Sequence, residues 1–145
     1  MILIRSKKTA RRIKKILFVC VENSCRSQMA EGLARSFGKG VFEPYSAGSK
    51  PSGKINPMAI EAMKEVGIDI SSQKSKSFDD LGIKQFDAVI TLGCGDVCPF
   101  VPAAEHIAWD IDDPKGQGMD VFRKVRDKIR YKVKHLSESI FRAES

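Results

Sequence analysis

Apolar residues in this chain fall into two kinds of pattern. Continuous runs occur at Ile16-Leu17-Phe18-Val19 and at Phe86-Asp87-Ala88-Val89-Ile90-Thr91-Leu92, and both are short enough to be strands covered on each face. Residues 41–45 predict a second strand between them, and His106-Ile107-Ala108-Trp109 a shorter last one. Elsewhere the period is helical. Met29, Leu33 and Phe37, with Ala30 and Ala34, repeat every three to four residues until Gly38 ends them. Asn56 caps a second helix with Pro57 at its first position; Ala59, Met63 and Val66 share a face, and Gly67 closes it. From about Asp120 onward Phe122, Val125, Ile129, Val133, Leu136 and Ile140 mark a long final helix with a basic, solvated outer face.

Between these lie polar stretches: a turn-rich segment at 46–53, a loop at 71–77, a short helical turn at 78–81, a flexible loop at 93–99 and another loop at 110–118. Strands that alternate with helices predict an α/β fold. We expect a single three-layer domain: a four-stranded parallel sheet with helices on both faces and right-handed crossovers. Ligands of such sheets bind beyond the carboxyl ends of the strands. The segments 20–27, 93–99 and 110–118 all fall on that edge. No internal repeat or low-complexity segment is seen.

Length and charge narrow the picture. A chain of 145 residues, 42% apolar and 30% charged, fits one domain, here residues 15–145, preceded by a basic extension at 1–14 that we expect to be a solvated, flexible tail. The net charge of +7 invites a nucleic-acid reading, but Arg5, Lys7, Lys8, Arg11, Arg12, Lys14 and Lys15 precede any acidic residue. The chain beyond Lys15 has 18 residues of each sign, so the excess belongs to the arm and no nucleic-acid partner is expected. No apolar stretch reaches the roughly 20 residues of a membrane span, and Met1-Ile2-Leu3-Ile4 is too short for a secretory h-region. We expect a cytoplasmic protein with no membrane association. Its four cysteines, Cys20, Cys25, Cys94 and Cys98, are too few for a disulfide scaffold and read as reactive thiols.

The chemistry concentrates where the first apolar run ends. Cys20-Val21-Glu22-Asn23-Ser24-Cys25-Arg26-Ser27 is a Cys-x5-Arg segment between a strand and a helix. A loop of this length can curl its backbone N–H groups around an anion at the helix N-terminus. Cys20 then sits at the bottom as nucleophile, and the positive field favours its thiolate form. Arg26 supplies two parallel donors to a tetrahedral oxyanion, which lysine cannot do. Ser27 can donate to the thiolate, and Asn23 suits a left-handed turn position. The plainer alternative, a buried cysteine followed by a surface arginine, explains neither the flanking elements nor the residues inside the loop.

The stretch from Val19-Cys20 through Asn23-Ser24-Cys25-Arg26-Ser27-Gln28-Met29-Ala30-Glu31 resembles the low-molecular-weight protein tyrosine phosphatase superfamily, specifically its arsenate reductase branch. Tyr45-Ser46-Ala47-Gly48, Asn56-Pro57-Met58-Ala59-Ile60 and Asp112-Asp113-Pro114 continue the likeness, which covers roughly residues 15–140. The resemblance implies that residues 21–27 (Val21, Glu22, Asn23, Ser24, Cys25, Arg26 and Ser27) bind the substrate. It also implies that Asp113 is the general acid that protonates the departing oxygen. Cys94 and Cys98 stand where the reductase branch has its redox cysteines, although Cys94 is shifted by one, with Gly93 directly after Thr91-Leu92. Arsenate would then be reduced to arsenite through a covalent Cys20 adduct and a disulfide relay, with Cys94 attacking first, in arsenic detoxification.

The same likeness implies no bound cofactor and an external thiol reductant, either thioredoxin or glutaredoxin with glutathione, serving a monomer. The phosphatase branch usually has aromatic residues after Asp-Pro to flank an aryl ester; Lys115-Gly116-Gln117-Gly118 contains none. A low-molecular-weight phosphatase acting on phosphoesters is the alternative. It would need Cys20 but neither Cys94 nor Cys98. A basic-tailed binding module is a third reading, and it leaves the loop unexplained. Glu22 replaces a small residue of the family loop, so its carboxylate must point away from the anion. Cys25 is expected to be structural. Some members hold potassium beside the loop with Asn, Glu, Ser and Asp; Asn23, Glu31 and Ser46 match three of these, but Lys76 takes the fourth place, so no metal is expected. His106 and His135 have no ligand-spaced partners and read as structural or surface residues.

Overall fold

The computed structural model describes residues 13–93 and 100–144. The first twelve residues of the basic extension, together with Cys94 and Cys98, lie outside the described residues, as does the side chain of Ile140. The chain runs β1 (Lys14–Cys20), α1 (Arg26–Phe37), β2 (Phe42–Gly48), α2 (Pro57–Lys64), a 3₁₀ turn (Phe78–Leu81), β3 (Phe86–Leu92), β4 (Ala103–Trp109) and α3 (Met119–Glu144). All four strands are parallel and lie in the order β2-β1-β3-β4. The first strand is therefore central, paired on one side to β2 and on the other to β3.

Strand alternation divides the core in two. Ile16 and Phe18 of β1, with Ala88, Ile90 and Leu92 of β3, face the three α-helices; they pack against Met29 and Leu33, Ala59 and Met63, and Phe122, Ile129 and Val133. Leu17, Val19 and Val89 face the other way, where Phe78, Leu81, Ile83 and Val101 cover them. The expected parallel sheet is present with cover on both faces, but the three α-helices stack together on one side. On the other side the helical cover among the described residues is the 3₁₀ turn. Phe18 and Phe122 are fully buried, and each stabilises the fold by roughly 1.5–3 kcal/mol through the area it removes from water. No described helix is long and apolar enough to cross a membrane.

Several boundaries differ from the sequence pattern for identifiable reasons. The second strand does not stop at 45. It runs to Gly48, in register with β1 down to Cys20↔Gly48, because the ladder of the central strand outweighs the turn propensity of Ser46-Ala47-Gly48. Similarly, β4 begins at Ala103, where pairing with Phe86 starts. The second helix ends at Lys64, so Val66 lies past it and Ala62 takes its place on the buried face; Gly67 then turns the chain at φ +80°. Lys14 already belongs to β1, and its N–H donates to the Val41 carbonyl at 2.9 Å. Phe37, the last of the helical apolar series, is exposed beneath the Arg130 guanidinium.

Candidate active site

After Cys20 the chain leaves the sheet, and the carbonyls of residues 21–25 all find partners. Val21 O accepts from Lys50 N (2.8 Å), Glu22 O from Ser52 N (3.0 Å) and Ser75 Oγ (3.0 Å), and Asn23 O from Gln28 Nε2 (3.1 Å). Ser24 O accepts from Asn56 N (3.0 Å) and Cys25 O from Met29 N (2.9 Å). In a planar trans peptide the N–H opposes the C=O. With these carbonyls held by the surrounding segments, the N–H groups of residues 22–26 turn to the opposite side, as an anion nest requires. Gly48 makes the close passage possible: a Cβ there would stand 2.4 Å from Val21 O and 2.9 Å from both Asn23 N and Cys20 O.

The nucleophile's environment is a directed chain of hydrogen bonds. Asn23 Oδ1 accepts from Lys76 N (2.9 Å) and Gln28 Nε2 (2.9 Å), so its amide nitrogen must face Ser27, to whose Oγ it donates at 2.7 Å. The Ser27 hydroxyl thereby accepts a hydrogen bond and is free to donate its own proton toward Cys20 Sγ, 2.9 Å away. Asn23 adopts φ +51°, the left-handed position expected for it. Cys25 is different. Burial pushes its thiol up to about 11, against a partial opposing effect of the Ser24 hydrogen bond, so it remains a protonated thiol at neutral pH.

Arg26, the first residue of α1, is buried and held from two sides. Its Nη1 donates to the Ile111 carbonyl at 3.0 Å, and Nη2 lies 3.8 Å from Asp113 Oδ2. With Nη1 engaged, the fork available to an oxyanion is Nε with Nη2. The 110–118 loop is thus fixed directly over the anion loop and brings Asp113 to the rim. Gly93, where the chain leaves β3, packs against the same pair: a Cβ on it would stand 2.5 Å from Ile111 O and 2.6 Å from Arg26 Nη1. The structural requirement for glycine at position 93 is this close approach, at φ +81°.

Together these residues enclose a pocket of about 190 Å³. Cys20, Val21, Ser24, Cys25 and Arg26 line it, with Glu22, Asp113 and Lys115 also on its wall. It is smaller than the roughly 300–1,000 Å³ of sites for drug-sized ligands, and among the described residues no aromatic ring lines it. A larger hollow of about 350 Å³ between Phe78, Phe86 and Phe100 has neither a nucleophile nor converging polar groups, and is remote from this chemistry. The Glu22 carboxylate is engaged by Lys115 Nζ at 2.9 and 2.7 Å. His106 bonds to Val101 O (2.7 Å) and stacks on Phe100, and His135 faces Glu138; neither lines the pocket.

Beside the loop, the buried Glu31 carboxylate accepts from Arg35 Nη2 (2.6 Å) and from the Ser46 hydroxyl. Lys76 Nζ lies 3.5 Å from Glu31 Oε1 and 3.3 Å from Ser46 Oγ. These residues do not fit a bound alkali ion. The chain's own ammonium already stands against the carboxylate, and the fourth oxygen ligand is missing. Sequence reasoning overlooked Gln28, which is fully buried, binds Asn23 twice and Lys74 O once, and receives Gln73. A glutamine on the apolar side of a helix, just past the loop, was the available signal. The roles of Ser75 and of the Lys76 backbone had no such signal.

The description "low molecular weight phosphotyrosine protein phosphatase" is that of the family model matching residues 15–145. An arsenate reductase of Halalkalibacterium halodurans is 46% identical over 136 residues, covering 87% of this chain and 96% of its own length. The glutaredoxin arsenate reductase of Synechocystis sp. is 43% identical over 131 residues, covering 88% and 99%. Among solved structures, one described as an arsenate reductase in the phosphate binding state superposes with a TM-score of 0.79 at 41% identity, covering 88% of this chain and 99% of its own.

Proposed function

The chain belongs to the low molecular weight phosphotyrosine protein phosphatase family, and we propose that within it this protein is a thiol-dependent arsenate reductase. The observation that carries the reading is the pocket itself. Its size, its lack of an aromatic wall and its Cys20–Arg26–Asp113 geometry suit a bare tetrahedral oxyanion better than an aryl ester. The names of the relatives from Halalkalibacterium halodurans and Synechocystis sp., and the phosphate binding state of the superposed reductase, support the same substrate class.

In the reaction we propose, the Cys20 sulfur attacks arsenic, oriented by the Ser27 hydroxyl, while Arg26 and the loop N–H groups hold the remaining oxygens. One oxygen leaves as water after Asp113 gives it a proton. Cys94 then attacks the Cys20 sulfur. The sulfur–sulfur bond forms, the sulfur–arsenic bond breaks with its electron pair passing to arsenic, and arsenite departs. Cys98 attacks Cys94 in turn, which frees Cys20 and leaves a Cys94–Cys98 disulfide for an external dithiol to reduce. Gly93, packed on the guanidinium of the pocket residue Arg26, directly precedes Cys94 in the sequence, which supports Cys94 as the first to attack. Thioredoxin and glutaredoxin with glutathione are both candidate reductants.

The test is NADPH oxidation on addition of arsenate, with thioredoxin and glutaredoxin regenerating systems supplied separately. One system should support turnover, and Cys20→Ser should abolish it. Cys98→Ser should accumulate a Cys20–Cys94 disulfide after one turnover, visible by peptide mass spectrometry. Phosphoester hydrolysis without arsenate reduction, undiminished by loss of Cys94 and Cys98, would establish the phosphatase alternative.

A further inference from the structure

The pocket has one component that neither the nucleophilic chemistry nor the relay uses: the ion pair between Glu22, on the anion loop, and Lys115, on the loop that carries Asp113. Both carboxylate oxygens of Glu22 contact Lys115 Nζ, at 2.9 and 2.7 Å, and both residues line the pocket. Each partner is anchored from behind. The Glu22 carbonyl is held by Ser52 N and Ser75 Oγ, both at 3.0 Å. Lys115 N donates to Asp113 Oδ1 at 3.1 Å, while Asp113 Oδ2 faces Arg26. The two loops are therefore joined by Arg26 to Ile111 O and Asp113, and separately by Glu22 to Lys115.

We propose that the Glu22–Lys115 pair is a specificity clasp, which closes the pocket to the organic group of a phosphoester while admitting inorganic oxyanions. The idea rests on the oxyanion reading above and deepens it. An inorganic oxyanion can be enclosed with all its oxygens inside the nest, whereas any ester must extend its organic substituent outward between the two loops. A salt bridge joining those loops stands in that path. The ester must displace or break it; the inorganic ion need not. The hydrogen bond from Glu22 holds the Lys115 pKa above its ordinary value, so Lys115 is an ammonium at neutral pH. Because both side chains are part-exposed, the clasp is weak enough to open, and a discrimination of about fivefold is expected from a pair of this kind.

The experiment compares inorganic phosphate with phenyl phosphate by calorimetry, using the full chain with Cys20→Ser so that neither ligand reacts. Glu22→Ala, Lys115→Ala and the exchanged pair Glu22→Lys/Lys115→Glu are each placed on that background. Taking the ratio of the two affinities cancels the change in overall charge, which acts on both anions alike. Each single substitution should shift the ratio toward phenyl phosphate by about fivefold, and the exchanged pair should bring it back toward the starting value. Ratios within twofold of the parent in both single variants would overturn the clasp. So would an exchanged pair that leaves the ratio shifted, since restoration depends on the ion pair and not on side-chain bulk. Urea midpoints check that each variant is folded. Failure of the parent enzyme to reduce arsenate would remove the functional reading and leave this comparison of ligands intact.

Discussion

Replacing Gly93 by alanine should damage both the fold and the anion site, by an amount that the local geometry sets. The added methyl would stand 2.5 Å from Ile111 O and 2.6 Å from Arg26 Nη1, the two atoms that already form a 3.0 Å hydrogen bond. Neither can retreat easily: one belongs to the backbone of a buried residue and the other to a buried guanidinium. Separating them removes a hydrogen bond to a charged group, worth about 1.5–3 kcal/mol. A non-glycine residue at φ +81° adds about 1–2 kcal/mol. The expected loss in urea unfolding is therefore about 3 kcal/mol or more. Gly116→Ala supplies the control, because Gly116 has a similar φ of +82° with nothing within 4 Å of the new methyl, and it should lose only the backbone component. A displaced Arg26 should also weaken inorganic phosphate binding at least about tenfold, the equivalent of roughly 1.4 kcal/mol. Phosphate affinity within twofold of wild type, with Gly93→Ala no less stable than Gly116→Ala, would refute the packing of β3 against the arginine.

Arg26→Lys should lower arsenate turnover at least about tenfold, because a point charge cannot bridge Ile111 O and an oxyanion as the fork does; steady-state kinetics measure it. Cys25 should give the fold an alkaline weakness. Its folded pKa of about 11 lies above the ordinary 9.0, so the stability it contributes is complete below pH 9 and is lost as pH rises toward 11. About 3 kcal/mol should go over that window, seen as a falling urea midpoint relative to Cys25→Ala. Removing residues 1–13 should leave arsenate turnover unchanged, since β1 begins at Lys14 and the chemistry needs nothing before it.

Much of the architecture was legible because it rests on repeating patterns. The apolar runs at 16–19 and 86–92 have to be covered on both faces, and the series from Phe122 to Leu136 can only line one side of a helix. Their ends were less legible. Ser46, Ala47 and Gly48 look like a turn in isolation, yet they extend β2, because the partner strand β1 offers them a ladder as far as Cys20. Local propensity is a weak force beside that pairing. Residues with a recognisable spacing come together in the same way: Cys20, Arg26 and Asp113 line one pocket, and Ser27 lies behind Cys20 within hydrogen-bond distance.

The part that escaped is the part that gives the loop its direction. A nest works only if its carbonyls are held away from the ligand, and the groups holding them are Lys50 N, Ser52 N, Asn56 N, Ser75 Oγ and the Gln28 amide. Three of these are backbone donors, to which residue identity contributes almost nothing, so no pattern of side chains could reveal them. Two of them, Lys50 N and Ser52 N, come from a segment that the sequence presents merely as turn-rich and polar, and the third belongs to a helix cap whose side chain has a different partner. Gln28 and Lys76 N go further: by filling Asn23 Oδ1, they force the Asn23 amide nitrogen toward Ser27, and so set which way the Ser27 hydroxyl points at Cys20. The orientation of the nucleophile thus depends in part on residues 74–76, some 50 residues away, through the backbone of a stretch with no periodicity. That is why a substitution such as Gln28→Leu, apolar and of similar volume, would suit the helix packing and still disorder the site.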